Sequence, residues 1–350
     1  VRGACRGDPT CTGATLFNAN ASSSYEFLSN DLHTQRYAAN PAVTGALVTE
    51  TVSVGGAQAK MIMGVVNGTE GRNPAAVEYD GVLGLNAGGF LSDATLKEKV
   101  VGIYLKRANA SDAAAGEITL GGINQALLDG PADTHAVPKE TNIDREDLWI
   151  LDAVRPTLDG KDTSPPAKAI LDTLSPVIVG PTPAVKAWYE ALGPAIEVKH
   201  AGGIYYYKQP AAGTIKAGLR VGAKDYPIDD ADLCLTALTG KDLEETQLVN
   251  VDANSVWCQG AVQSAQVWGE SQSLSTAPSD SDPWTLGYPV LRNVYTVLHL
   301  DEPRSVGFGR LKEGGAANGT AAADPNSGAA ASFVQPAMVV AAAGLAVALF

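Results

Sequence analysis

Short apolar or β-branched runs, each closed by Gly, Pro, Asn or Asp, recur along most of the chain and predict strands. In ALVTETVSV, Leu47, Thr49, Thr51 and Ser53 alternate with Val48, Glu50, Val52 and Val54, the period-two pattern of a strand with two distinct faces. Gly55 and Gly56 then supply a hairpin turn. GEITLGGIN from Gly116 and AGLRVGAKDYPI from Ala217 have the same character. Helical signal is scarce. TLKEKVVGIYLKR from Thr95 predicts a short helix running into a strand, and TPAVKAWYEALG predicts a helix with Thr182 as its cap, Pro183 at the first helical position and Gly193 at its end. The balance is an all-β protein with a few short helices.

The polar, turn-rich PKETNIDRED marks a boundary near residues 140–150. It divides the chain into an N-terminal part, 1–143, and a C-terminal part, 144–312. Residues 313–336 form a low-complexity Ala/Gly/Ser/Asn linker with no pattern for burying a core, and residues 337–350 are an uncharged, mostly apolar tail. That tail is shorter than the roughly twenty residues of a bilayer span. Small residues at Asn326, Ser327 and Gly328, a short spacer and a terminal apolar run have the layout of a GPI-attachment signal, with Asn326 as the attachment residue. A buried or amphipathic C-terminal helix is the competing reading, but the tail is apolar on every face.

Composition narrows the function. Hydrophobic residues make up 45% of the 350 and charged residues 18%, which suits a globular core rather than a disordered chain. A formal charge of −13 and a pI near 4.7 repel phosphate backbones and anionic headgroups, so nucleic acid is excluded as a partner and a membrane contact is expected only through the anchor. The cysteines form two compact sets, predicting disulfides Cys5–Cys11 and Cys234–Cys258 in an oxidising compartment. Sequons at Asn20, Asn67, Asn109 and Asn318 predict N-glycosylation and agree with secretion.

Other catalytic signatures are missing from the sequence: there is no phosphate-binding glycine loop, no HExxH and no G-x-S-x-G elbow. His33, His135, His200 and His299 are scattered without metal-ligand spacing, so neither a metal nor a cofactor is expected, and His299 reads as a structural strand residue. What remains is a series of segments in order. ACRGDPTC begins it, followed by LFNANASSSYEF (residues 16–27), YDGVLGL (79–85) and IYLKR with GEITLGGIN. AILDTLSPVIVGPTPAV (169–185), WTLGYPVLRNVYTVL (284–298) and SVGFG (305–309) complete it.

Together these resemble the pepsin family of aspartic endopeptidases, over residues 5 to about 310. With the C-terminal layout, the resemblance is to the GPI-anchored, yapsin-like fungal type. It implies a bilobal all-β fold, a monomer, and a polypeptide substrate in the cleft between the lobes. It also implies hydrolysis at acidic pH by two aspartates sharing one proton, one activating water and the other polarising the scissile carbonyl.

Asp172 takes the place of the second-lobe aspartate, with Thr173 and Ser175 as supporting hydroxyls. Leu174 stands where the family carries glycine, and there it is expected to crowd the carboxylate or the substrate. Without the resemblance, Asp172 reads as a turn aspartate capping its own loop. RYAANPAVTGAL makes Tyr37 the residue of a substrate-covering flap, with the family's flap glycines replaced by Ala38, Asn40 and Pro41. Tyr288 replaces the family's usual aspartate. The first catalytic motif precedes, in the family, the residues corresponding to Val1 and Cys5, so the N-terminal lobe is expected to lack its opening strands and its aspartate. Two functions follow: an acid endopeptidase silent as this fragment, or a non-catalytic cell-surface glycoprotein that keeps the fold for peptide binding.

Overall fold

The computed structural model describes residues 17–30, 42–70, 83–107, 116–139, 147–268 apart from seven single positions (194, 195, 202, 245, 247, 249 and 253), 283–312 and 329–333. They are mainly strands with a few short helices, the all-β class expected from the pattern. Contacts divide the chain into two compact units. One is Val1–Thr134 with Asp147–Trp149 and Tyr295–Phe350, and the other is His135–Glu146 with Ile150–Val294. The centre of the predicted boundary, 140–146, lies outside the described residues.

In the first unit the alternating run forms the strand Ala42–Val54, paired antiparallel with Ala57–Glu70 and closed by Gly55 and Gly56. Both glycines have positive φ, 54° and 83°, which the turn requires and which residues with a Cβ resist. Thr44 pairs with Gly68 and Gly45 with Val66, so Asn67 is the extra residue of a bulge. Glu26–Ser29 adds a third strand on the outside of Ala42–Val54.

A six-stranded sheet runs in the order Ala329–Phe333, Gly116–Leu120, Val100–Leu105, Val294–His299, Ser305–Arg310, Asp133–Ala136. Val100–Leu105 is buried at every position, the signature of a strand covered on both faces. Val100, Tyr104, Leu127, Leu128, Tyr295 and Val297 form one apolar cluster there. The predicted helix at 95–99 does not form. Thr95 N donates to Gln58 O at 2.9 Å and Lys99 O accepts from Leu300 N at 2.9 Å, so lateral pairing takes the backbone groups a helix would need. The helical turn lies earlier, at Phe90–Asp93. His299 ends a strand, as expected. Inside the stretch read as linker, Ala329–Phe333 is itself a strand.

The second unit carries an eight-stranded sheet. Its order is Lys224–Ile228, Ala217–Val221, Ile150–Leu158, Ala167–Leu171, Trp284–Leu286, Ile178–Gly180, Val262–Ser264, with Lys161–Asp162 attached to Ile150–Leu158. A four-stranded sheet runs Val198–Ala201, Ile204–Lys208, Trp257–Gly260, Cys234–Leu238. The predicted helix forms as Thr182–Leu192 and buries Val185, Trp188, Tyr189 and Leu192, with Gly193 at its end. Thr182 is its first residue rather than its cap, which is Pro181. The hydroxyl of Thr182 is engaged elsewhere, 2.6 Å from Ser264 Oγ. No helix among the described residues is long and apolar enough to cross a membrane.

Cys234 and Cys258 form the predicted disulfide, 24 residues apart. Cys5 and Cys11 lie outside the described residues. Replacing Cys234 and Cys258 together by serine is expected to lower stability by about 3.5 kcal/mol, the chain-entropy value for a loop of this size. Urea unfolding of the double variant checks it, and a loss below about 1 kcal/mol would contradict it.

Candidate active site

Asp172 opens the turn between the strands Ala167–Leu171 and Ile178–Gly180. The first strand runs parallel to Trp284–Leu286, with Leu171 opposite Leu286. The second runs antiparallel to that same segment, with Ile178 opposite Leu286 and Val179 opposite Thr285. Trp284–Leu286 therefore lies between the two arms of the turn, and residues 172–177 cross over its exit.

Gly287 marks the crossing. A Cβ at this position would fall far inside van der Waals distance of the carbonyl oxygens of Ser175 and Val177, both backbone atoms that have no rotamer to escape with. Three hydrogen bonds fix the crossing: Asp172 N to Leu286 O at 3.1 Å, Tyr288 N to Ser175 O at 2.9 Å, and Ser175 N to Asp172 O at 3.3 Å. Below it, Val177, Val179 and Ala265 form a buried apolar floor with Leu235 packed against them.

Asp172 is half-buried, and its Oδ1 accepts from Leu174 N at 2.8 Å. The carboxylate thus caps its own turn, which is how Asp172 reads without the family resemblance. Ser175, almost fully buried, donates from Oγ to Val177 O at 2.9 Å and accepts from Val177 N at 3.4 Å, so its hydroxyl braces the loop backbone. Thr173 is half-buried between them.

Among the described residues the non-glycine positions with positive φ are Ala153, Asp159 and Asn250, and Leu174 is not one of them. The loop therefore makes no demand for glycine's left-handed conformation at 174. What leucine changes is space, placing a half-buried isobutyl group next to the carboxylate turn. Tyr288 is buried, with the Arg292 guanidinium 4.8 Å from its ring centroid.

The loop is braced from behind. Ile178 N donates to Ala261 O at 2.8 Å, and Ala261 N to Leu233 O at 2.7 Å, which ties the strand after the motif to segments adjoining Cys234 and Cys258. Val262–Ser264 pairs parallel with Ile178–Gly180, and Tyr189 donates from its hydroxyl to Val262 O at 2.8 Å. Gly260 leaves room for that phenol, since a Cβ there would collide with it. Burial, followed by the neighbouring Tyr207, raises the Tyr189 pKa well above its ordinary value. The protonated phenol is favoured in the fold, so its contribution is fully present below about pH 10 and is lost only as pH rises beyond the unfolded value. Acid leaves this brace intact.

Asp172, Thr173 and Ser175 thus share one pinned loop. Tyr37, Asn109, Asn318 and Asn326 lie outside the described residues. Asn20 is exposed in the short turn Ala19–Ala21, and Asn67 sits at the bulge. Among the described residues no group of three or more His, Cys, Asp and Glu is placed to hold a metal. Gly287 was not singled out from sequence as a site residue, although its signal was present: a glycine directly after the apolar strand WTL.

A model described as eukaryotic aspartyl protease matches residues 1–311. Aspartic protease 1 of Toxoplasma gondii is 26% identical over 327 residues, covering 85% of this chain and 49% of that protein. Renin-2 of Mus musculus is 26% identical over 313 residues, covering 85% of this chain and 69% of that protein. The chain thus spans about half the length of the Toxoplasma relative.

Proposed function

The chain belongs to the eukaryotic aspartyl protease family, and on that premise we propose that it carries one of the two carboxylates of a pepsin-like endopeptidase acting on polypeptides at acidic pH. The observation behind this reading is the Asp172 loop, a carboxylate at the end of a buried parallel strand, held by backbone bonds to Leu286 and Tyr288. Rigid support of this kind is what a group needs when it must hold water or a carbonyl in a fixed place.

The dyad mechanism needs a protonated and an ionised carboxyl close together. The 350 residues contain neither Asp-Thr-Gly nor Asp-Ser-Gly. By themselves they are therefore silent: Asp172 cannot be proton donor and base at once. The purified 350-residue protein is expected to cleave an unstructured protein at about pH 3 to 5 no faster than its Asp172→Asn variant. Cleavage that a transition-state-mimicking aspartic-protease inhibitor stops would overturn this.

A second reading, a non-catalytic cell-surface glycoprotein of the same fold, is favoured by Leu174 and Tyr288 at positions where the family's pattern has glycine and aspartate. Both readings share a location: the secretory pathway, then the outer face of the plasma membrane or the cell wall, held by a yapsin-like GPI anchor at Asn326. The exposed turn at Asn20 supports glycan addition at that sequon. Release of the expressed protein by a phosphatidylinositol-specific phospholipase is the matching test. Retention of Phe350 on a membrane-held protein speaks against the anchor.

A further inference from the structure

We infer that Tyr205 is an oxidative coupling site. A one-electron oxidant in solution leaves a phenoxyl radical there, and that ring then joins the Tyr205 ring of a second copy of the chain.

Four rings run from the core to the surface. Trp188 and Tyr189, both almost fully buried on the helix Thr182–Leu192, meet edge to face with centroids 4.8 Å apart. Tyr205 lies parallel to Tyr189, with 4.2 Å between centroids and 5° between planes. His200 is exposed and stands opposite Tyr205 in the antiparallel pair Val198–Ala201 and Ile204–Lys208, their ring centroids 4.4 Å apart. Two rings at these distances cannot share one face, so Tyr205 is held between Tyr189 and His200. The half-buried phenol therefore meets water at its rim, which carries the hydroxyl and the ortho carbons. Apart from Tyr25, the other described tyrosines are buried. The ring beside Tyr25 is Phe17, 6.1 Å away, which has no easily oxidised group to pass charge onward.

Losing an electron makes a phenol strongly acidic, so the radical settles where the proton has somewhere to go. The Tyr189 hydroxyl donates to Val262 O at 2.8 Å, a peptide carbonyl too weakly basic to keep the proton. Burial, followed by Glu190, raises the Tyr205 pKa, so this phenol too is protonated before oxidation. At the rim, however, its proton can pass to water. An electron therefore moves from Tyr205 across the stack to an oxidised Tyr189, which returns to a neutral phenol with its hydrogen bond intact. Tyr205 is left as a phenoxyl, and its proton goes to solvent. Two such radicals form one carbon–carbon bond ortho to oxygen. The hydrogen on each joined carbon then shifts to the ring oxygen and restores both phenols, so two electrons and two protons leave per dimer.

The test irradiates the full chain with a ruthenium tris-bipyridyl complex and persulfate, which takes up the two electrons and becomes two sulfate ions. A covalent dimer with dityrosine fluorescence is expected, and peptide mapping should find Tyr205 joined to Tyr205. Tyr205→Phe should lose the dimer and gain oxidised Trp188, because the oxidising equivalent then has no exit. A dimer joined mainly through another tyrosine, no dimer, or a dimer that persists in Tyr205→Phe overturns the coupling site. Equal oxidation of Trp188 in the two proteins overturns the path through the stack. If Tyr205→Phe does not fold, the cross-linked peptide of the unchanged chain decides alone: Tyr205 supports the site, and any other tyrosine overturns it.

Discussion

Gly287→Ala is expected to destabilise the second unit by about 4 kcal/mol or more, a large share of the stability of an ordinary domain. The added methyl has nowhere to go. It meets the carbonyl oxygens of Ser175 and Val177, and moving either one means moving the loop held by Asp172 N, Ser175 N and Tyr288 N. The loop in turn rests on Val177 and Val179, both buried. Urea unfolding followed by tryptophan fluorescence reads the effect, since Trp284 is buried in the strand just before Gly287. Gly160→Ala is the control: its φ of +71° strains alanine, but a Cβ there has no neighbour within 4 Å, so a cost of about 1 kcal/mol is expected. If the two variants lost similar stability, Gly287 would be an ordinary turn glycine.

Leu174→Gly carries the largest expected effect on activity. In a chain given an upstream Asp-Thr-Gly motif, the motif alone should leave cleavage slow, and adding Leu174→Gly should raise kcat/KM roughly a hundredfold, the scale of a reacting group misplaced by about an ångström. The backbone at 174 is not in the left-handed region, so the gain comes from removing the isobutyl group rather than from relieved strain. Glycine keeps the amide that donates to Asp172 Oδ1. The loop should therefore stay folded, with a modest entropic cost to stability. Asp172→Asn in the same background should abolish the gain. Equal rates with leucine and glycine would show that Leu174 does not obstruct the chemistry, and would remove the main support for a non-catalytic protein.

The sequence showed most of the second unit's site because its signals are local. Asp172 and Ser175 lie within one short turn, and the helix Thr182–Leu192 carries its own periodicity. The failures had non-local causes. Thr182 looked like a cap, but Ser264, far along the chain, holds its hydroxyl. The segment after Thr95 looked helical, but Gln58 and Leu300 pair with its backbone. Gly287 passed unnoticed as a site residue because the oxygens that require it belong to Ser175 and Val177, more than a hundred positions earlier. Nothing in the composition of AAASF announced a strand, since the partner Gly116–Leu120 supplies the pairing.

The Cys234–Cys258 bond has one more consequence, for the survival of a cut chain. Between Leu238 and Trp257 the polypeptide leaves its sheet, and Thr239, Gly240, Asp242, Asn250, Asp252 and Asn254 are exposed along the way. Exposed, polar connections of this kind are where proteases nick folded proteins. A nick there falls between the two cysteines, so both new ends stay covalently tethered, and the paired strands on either side keep their register. Such a molecule would migrate as one chain until reduced, then as two. A protein released among other hydrolases could thus be cut in this loop without coming apart.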